Sequence, residues 1–110
     1  LAQENVEELS PLPEDFTGDG DLFMLRVRGD SMIEIGIMDG DFVVARAQPT
    51  ATNGEIVIAG IPGEEATVKT YQRKGNVVTL VPANPRLQPM VYIDGEVQIF
   101  GRVVTVMRRL

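Results

Sequence analysis

Short apolar runs rich in β-branched residues, separated by glycine, proline and asparagine turns, make up most of the chain after residue 20. Their lengths are those of strands, and dipeptides such as Asp39-Gly40 and Asn53-Gly54 are typical of tight turns between antiparallel strands. Only residues 33–38 favour a helical turn or two. The pattern predicts a compact, mostly β domain of short twisted strands with at most one or two short helical turns. The predicted strands span residues 22–27, 42–45, 55–59, 66–71, 77–81 and 97–107.

The beginning of the chain differs from the rest, and we interpret residues 1–20 as an N-terminal arm that precedes a β domain of residues 21–110. Pro11 and Pro13 oppose a regular helix in the arm, and a Thr-Gly-Asp-Gly turn closes it. A chain of 110 residues is long enough for one domain of this kind. Its net charge of −6 makes it a poor DNA binder by itself, because nucleic-acid binding rests on Lys and Arg.

The residue types that the chain lacks exclude several kinds of site. It has no cysteine, which excludes disulfides and cysteine nucleophiles, and no histidine, which excludes a Ser-His-Asp triad. We predict no cofactor and no metal ion. No apolar run reaches the roughly 20 residues of a membrane-spanning helix, and the first residues do not have the composition of a secretory signal. The sequence therefore favours a cytoplasmic protein that does not enter a membrane.

Ser31 is the best candidate for a nucleophile, and in a chain without histidine it needs another base, for which lysine is suited. The residue directly follows a predicted strand and a Gly-Asp turn, where a side chain is exposed. Successive backbone N–H groups can converge at such a turn. The N–H groups of Asp30 and Ser31 are therefore the candidate donors to an oxyanion. We expect Met32 to border the same cleft as a supporting residue.

Lys69 is the candidate base, because it lies inside an otherwise apolar or β-branched strand. A lysine accepts a proton only when it is neutral, which requires its pKa to fall from about 10.4 to roughly 7–8. Strand alternation places Thr67 on the same face, where its hydroxyl can orient the amine. Lys74 falls in a predicted solvated turn, where an amine keeps its charge. The residues alone leave open that Ser31 is an ordinary turn residue and that Lys69 extends to water.

Residues 29–32 and 35–41 closely resemble the nucleophile motif of the LexA-like peptidases, a group of Ser/Lys peptidases related to signal peptidases. Residues 65–69 resemble the lysine motif of the same family, at a similar separation, and residues 53–57 resemble the hairpin between the two motifs. The resemblance extends over the whole chain. It implies a β domain of the LexA/signal-peptidase type.

The same resemblance implies a role for each candidate residue. Ser31 would be the nucleophile and Lys69 the general base of a serine autopeptidase, with Thr67 as a supporting residue. The backbone N–H groups of Asp30 and Ser31 would bind the oxyanion.

The resemblance also implies a biological role, that of the C-terminal domain of a transcriptional repressor of the SOS response to DNA damage. In that family a RecA–single-stranded-DNA filament stimulates self-cleavage, which ends repression, and the protein is a homodimer. The operator is bound through an N-terminal helix-turn-helix domain. Neither that domain nor the family's Ala-Gly cleavage site is recognisable in these residues. We therefore expect a fragment that keeps the dyad of Ser31 and Lys69 but cannot cut itself at the family's Ala-Gly bond.

Three other functions remain open from the sequence. A phage repressor or the UmuD-like subunit of a mutagenic polymerase would use the same Ser/Lys chemistry. A membrane signal peptidase would use it too, but the sequence contains no recognisable membrane anchor, which disfavours this alternative. A catalytically silent dimerisation module is the third alternative. Asp39 and Asp41 are either a pair of reactive or cation-binding carboxylates or, as we favour, turn residues.

The last predicted strand, residues 97–107, is the candidate dimer contact. It is more apolar than an exposed edge tolerates, so it either pairs with a second copy or lies centrally in the monomer. Gly101 is predicted to mark a bulge or a kink within it.

Overall fold

A computed structural model describes residues 6–7, 20–63 and 66–110 of the chain. The compact, mostly β fold is confirmed, and the one helical segment within these residues is the 3-10 turn Ile33–Ile35. The predicted arm lies almost wholly outside the described residues. The strands are β1 (Val6–Glu7), β2 (Leu22–Arg26), β3 (Phe42–Ala47), β4 (Ile56–Gly60), β5 (Thr67–Lys74), β6 (Val77–Val81), β7 (Met90–Ile93) and β8 (Gln98–Met107).

The eight strands form one sheet in the order β1-β2-β3-β8-β4-β5-β6-β7, and every pair of neighbours is antiparallel. β8, the longest strand, therefore lies between β3 and β4. β2 and β5 are not neighbours in this order, yet Leu25 and Val27 share a buried cluster with Val68. The sheet must therefore curl until the end of β2 approaches β5, as twisted antiparallel sheets do.

Two buried clusters fill the curled sheet, and β4 contributes to both because successive side chains of a strand point to opposite faces. Ile58 belongs to the cluster beneath residues 25–37, whereas Val57 and Ala59 belong to the cluster around Tyr71. All three β4 side chains are fully buried. The strand that neighbours β5 is thus packed on both faces, which gives β5 a rigid support.

β8 contains two irregularities near the predicted position. Its pairing with β4 passes over Phe100, and its pairing with β3 passes over Val104. Gly101 lies next to the first of these bulges, and a Cβ atom there would stand 2.5 Å from the carbonyl oxygen of Arg46. A side chain is therefore excluded at Gly101 by the close approach of β3.

Six observed strands, β2 to β6 and β8, correspond to the six predicted ones, whereas β1, inside the predicted arm, and β7 were not predicted. β6 has the predicted bounds, whereas β5 continues to Lys74, which the sequence placed in a turn. β7 was missed because it has only four residues and directly follows Pro89, in a stretch that reads as a proline-rich loop. It forms because residues 90–93 pair with residues 77–80 of β6.

Candidate active site

The turn that presents Ser31 begins where β2 ends and is held by its own backbone. Val27 donates its N–H to the carbonyl oxygen of Asp41 at 2.8 Å, and its own carbonyl accepts the N–H of Gly40 at 2.9 Å. Gly29 has a φ of +82°, which a residue with a side chain rarely adopts. Its N–H donates to the carboxylate of Asp39 at 2.7 Å. Ser31 therefore leaves the strand on a fixed turn and not on a free loop.

A second segment, residues 82–87, supports the turn from behind. Ala83 donates its N–H to the carbonyl oxygen of Ser31 at 2.8 Å and accepts the N–H of Glu34 at 2.9 Å. The side-chain amide of Asn84 donates to the carbonyl oxygen of Asp30 at 3.0 Å. The sequence analysis missed Asn84, because an asparagine in a proline-rich loop is an ordinary turn residue.

Ser31, Lys69 and Thr67 meet at one point. The Nζ atom of Lys69 lies 3.1 Å from the Oγ atom of Ser31 and 2.5 Å from the Oγ1 atom of Thr67. Lys69 is 7% exposed although lysine is among the residues least often buried. Lys74, at the far end of the same strand, is exposed. The distance between Oγ and Nζ is within the range for direct proton transfer between a nucleophile and its base.

Two clefts open beside the dyad and share its residues. The first, of about 300 Å³, lies between the end of β2 and the start of β5 and includes Arg26 and Arg28. The second, of about 340 Å³, lies towards β7 and includes Gln88 and Met90. Both are lined by Leu87 and by the three residues Ser31, Thr67 and Lys69. A chain that runs from one cleft into the other would cross the Ser31 hydroxyl.

The remaining predicted site residues divide into two groups. Asp30 and Ser31 line the first cleft, and no described protein group accepts a hydrogen bond from their backbone N–H groups. Met32 is 1% exposed and belongs to the core, and the described residues that line the two clefts do not include it. Its side chain therefore packs beneath the turn that carries Ser31 and does not border either cleft.

Asp39 and Asp41 both hold the turn that carries Ser31 in place. Asp41 is 1% exposed, receives two hydrogen bonds of 2.8 Å from the guanidinium of Arg108, and accepts the N–H of Met38 at 2.7 Å. The hydrogen bonds from Arg108 lower the pKa of the Asp41 carboxyl and outweigh the opposing effect of burial. With Asp39 bound to Gly29, each carboxylate has a structural partner, as expected of turn residues.

Within the described ranges, no group of three or more His, Cys, Asp and Glu side chains is arranged to hold a metal ion. No helix in the same residues is long and apolar enough to span a membrane.

Comparison with known proteins shows which family the chain resembles. Residues 1–104 match the family model described as Peptidase S24-like. The chain is 58% identical over 111 residues to a LexA repressor of Nocardioides sp., 52% over 110 to one of Mycobacterium tuberculosis and 51% over 110 to one of Acidothermus cellulolyticus. These alignments cover 100% of this chain but 44%, 45% and 39% of the respective relatives. The chain thus spans less than half the length of these relatives.

Proposed function

This chain belongs to the Peptidase S24-like family, and from that premise we propose that it is the self-cleaving domain of a LexA-type repressor. Ser31 is the nucleophile and Lys69 the general base. The observation that carries the proposal is the 3.1 Å contact between a serine hydroxyl and a buried lysine amine, in a wall shared by two clefts.

The proposed reaction breaks one peptide bond in two steps. Neutral Lys69 takes the hydroxyl proton of Ser31 as Oγ bonds to the carbonyl carbon, and the carbonyl oxygen becomes an oxyanion. The N–H groups of Asp30 and Ser31 donate to that oxyanion. The Lys69 ammonium then protonates the leaving amine, the carbon–nitrogen bond breaks, and an acyl-serine ester remains. Water, deprotonated by Lys69, hydrolyses the ester and restores the hydroxyl of Ser31.

Thr67 is proposed to orient the base. Its hydroxyl lies 2.5 Å from the amine, two positions before Lys69 on the same face of β5. A lysine side chain has four rotatable bonds and loses much rotamer entropy when it is fixed. A hydroxyl that hydrogen-bonds to the amine keeps the nitrogen directed at Ser31. The lysine side chain then does not have to change rotamer before proton transfer.

The substrate is proposed to lie as an extended strand along β2. That strand accepts β1 from this chain, with Val6 opposite Leu25 and Glu7 opposite Met24. Within the described residues β1 covers this edge only at Met24 and Leu25, and an extended substrate that pairs with the edge beyond Leu25 gains backbone hydrogen bonds without regard to its side chains. The end of β2 leads to Ser31, so a strand paired there reaches the dyad.

In the longer protein, we infer that the cut bond is the family's Ala-Gly bond and that a RecA–single-stranded-DNA filament stimulates the cleavage. Separation from an operator-binding domain would then end repression in the SOS response, in the cytoplasm. The name LexA repressor, carried by the similar relatives, favours this role over a phage repressor or a UmuD-like subunit.

We propose that the protein forms a homodimer joined through the end of β8. β4 pairs with residues 98–102 of β8 and β3 with residues 101–107, so among the described strands only β3 flanks residues 103–107. Val106 in this half is 40% exposed. Antiparallel pairing of two copies there is a self-complementary contact of the kind that two-fold dimers use. Sedimentation at micromolar concentration that shows only a 12.0 kDa species would contradict it.

Cleavage in trans tests the proposed chemistry. The chain is mixed with a separate repressor chain that carries the Ala-Gly loop but has its own nucleophile replaced by alanine. We expect slow cleavage at neutral pH and a faster reaction towards about pH 9–10, as lysine amines lose their proton. Ser31→Ala and Lys69→Ala should each abolish it, while Lys74→Ala, a change of the exposed lysine, should not.

Two results would contradict the assignment of the base, and a third would contradict the peptidase function. If Lys74→Ala stopped cleavage and Lys69→Ala did not, the base would be the wrong lysine. If the rate stayed flat between about pH 6 and 10, no lysine would act as the base. A chain that bound its partner but never cut the loop would be a silent dimerisation module.

A further inference from the structure

Asn84 joins the loop behind the active site to the peptide that carries the nucleophile. Its side chain is nearly buried, at 8% exposure, and both of its polar atoms are engaged. The Nδ2 atom donates to the carbonyl oxygen of Asp30 at 3.0 Å, and the Oδ1 atom accepts the N–H of Arg86 at 3.0 Å. The first bond spans 54 residues of sequence, whereas the second is local to the loop.

The Asp30 carbonyl oxygen also accepts the N–H of Ile33 at 3.3 Å, so Asn84 supplies the shorter of its two hydrogen bonds. This oxygen belongs to the same rigid unit as a proposed oxyanion donor. The carbonyl of Asp30 and the N–H of Ser31 are two ends of one peptide group, which is planar and trans, so they point in opposite directions. Fixing the carbonyl oxygen therefore fixes the direction of the N–H. A rotation of this peptide would turn the N–H away from the carbonyl under attack while leaving the Ser31 side chain in place.

We propose that Asn84 is a positioning residue for peptide-bond cleavage, which anchors the Asp30–Ser31 peptide so that the Ser31 N–H is directed at the oxyanion. The inference rests on the proposed function, because the oxyanion exists only during that reaction. It assigns Asn84 a contribution to the transition state and not to substrate binding. Donors fixed beforehand stabilise a developing charge without reorganisation.

Asn84→Asp separates this contribution from a role within the loop. The change keeps the shape and the Oδ1 acceptor for Arg86 but replaces the donor to Asp30 by an acceptor. Asn84→Leu, similar in size, removes both the donor and the acceptor for Arg86 without adding a charge. Asn53 provides a matched control, since its Nδ2 atom donates to the Arg73 carbonyl at 3.2 Å and its Oδ1 atom accepts the Arg73 N–H at 2.6 Å. It lines a different cleft from the dyad.

The trans-cleavage assay gives the first readout. We expect kcat to fall about ten- to a hundredfold in both Asn84 variants, less than the loss of a donor outright, with KM unchanged. The pH at half-maximal rate should not move in Asn84→Leu. A peptide aldehyde, whose serine adduct carries an oxyanion, should inhibit both variants more weakly by a similar factor. Asn53→Asp should match the parent chain in all these measurements.

Equal losses in the Asn84 and Asn53 variants, or a rise in KM alone, would overturn the proposal. A second readout does not depend on cleavage. The carbonyl ¹³C resonance of Asp30 should move upfield in Asn84→Asp and Asn84→Leu, because it loses a hydrogen bond, and should stay in place in Asn53→Asp. If the parent chain does not cleave, the proposed function fails, and an unmoved Asp30 resonance would independently overturn the anchoring role.

Discussion

One strand, β5, lines two very different clefts. Thr67 and Lys69 line a cleft of about 300 Å³ together with Ser31, whereas Tyr71 and Arg73 line a larger one of about 540 Å³. These four residues alternate along one face of the strand. By size alone, the larger cleft would be the first candidate for a binding site, since binding sites are commonly among the largest concave regions of a protein.

The ionisable groups of the two clefts have different surroundings. In the larger cleft, Arg73 forms an ion pair with Asp94 at 2.7 Å, and these side chains are 46% and 40% exposed. Such a pair stays hydrated and contributes little. In the smaller cleft, the amine of Lys69 is nearly buried and touches two hydroxyls. A buried ionisable group beside a serine hydroxyl, and not the volume of a cleft, therefore distinguishes the candidate site.

Two single substitutions, one of the cationic residue in each cleft, should give the largest difference in cleavage rate. Lys69→Arg keeps a positive charge and hydrogen-bond donors, but a guanidinium does not lose its proton in proteins and cannot act as a base. We expect trans cleavage to fall by more than about a thousandfold, as when a member of a catalytic triad is removed. Arg73→Lys should leave the rate unchanged, measured under the same conditions.

Activity retained in Lys69→Arg would show that the residue serves only as a fixed cation. A comparable loss in Arg73→Lys would mean that the larger cleft binds substrate, and the contrast between the clefts would fail.

The sequence indicated the candidate residues of the smaller cleft better than the contacts that hold them. Ser31 and Lys69 were both proposed from local patterns, a turn after a strand and a lysine within a strand. Asn84 and Arg108 were not, since their bonds to Asp30 and Asp41 span 54 and 67 residues and no local pattern encodes them. Long-range partners are set by how the sheet curls, which depends on all its strands together.

The short strand β7 shows the same limit for the fold. Its four residues acquire strand structure by pairing with β6, a tertiary context that overrides the turn signals of the neighbouring prolines. Gly101 is an instructive intermediate case. The residue type indicated an irregularity, but only the approach of the Arg46 carbonyl explains why no side chain fits.

Removing the hydroxyl of Thr67 should lower the cleavage rate less than substituting Lys69. Thr67→Val removes that hydroxyl with little change of shape. Hydrogen bonds to charged or titrating groups contribute about 1.5–3 kcal/mol, which corresponds to a roughly ten- to hundredfold fall in kcat. Thr70→Val, on the opposite face of β5, is the matched control and should cleave like the parent. Equal rates for the two variants would remove Thr67 from the proposed machinery.

The two clefts also differ in how their neighbouring ion pairs stabilise the fold. Asp41, beneath the nucleophile turn, is buried and binds both Arg108 and the Met38 N–H, whereas Asp94 in the larger cleft is half exposed. Asp41→Asn keeps an acceptor for Met38 but loses the charge, and should lower the free energy of unfolding at neutral pH by about 1 kcal/mol. Asp94→Asn should cost only a few tenths of a kcal/mol, since exposed pairs contribute little. Urea unfolding at low salt measures the difference.

Acid should remove the contribution of Asp41, and the direction follows from its pKa. Hydrogen bonds from Arg108 hold the pKa of the Asp41 carboxyl below its ordinary value in the folded chain. The ionised form therefore favours folding, and its contribution is complete above the unfolded pKa of about 3.9. As pH falls through the lower folded pKa, the carboxyl is protonated and the contribution is lost. The stability gap between the parent and Asp41→Asn should accordingly be constant from neutral pH to about pH 5 and close in stronger acid. A gap that persisted unchanged there would mean that Asp41 supports the turn by shape alone.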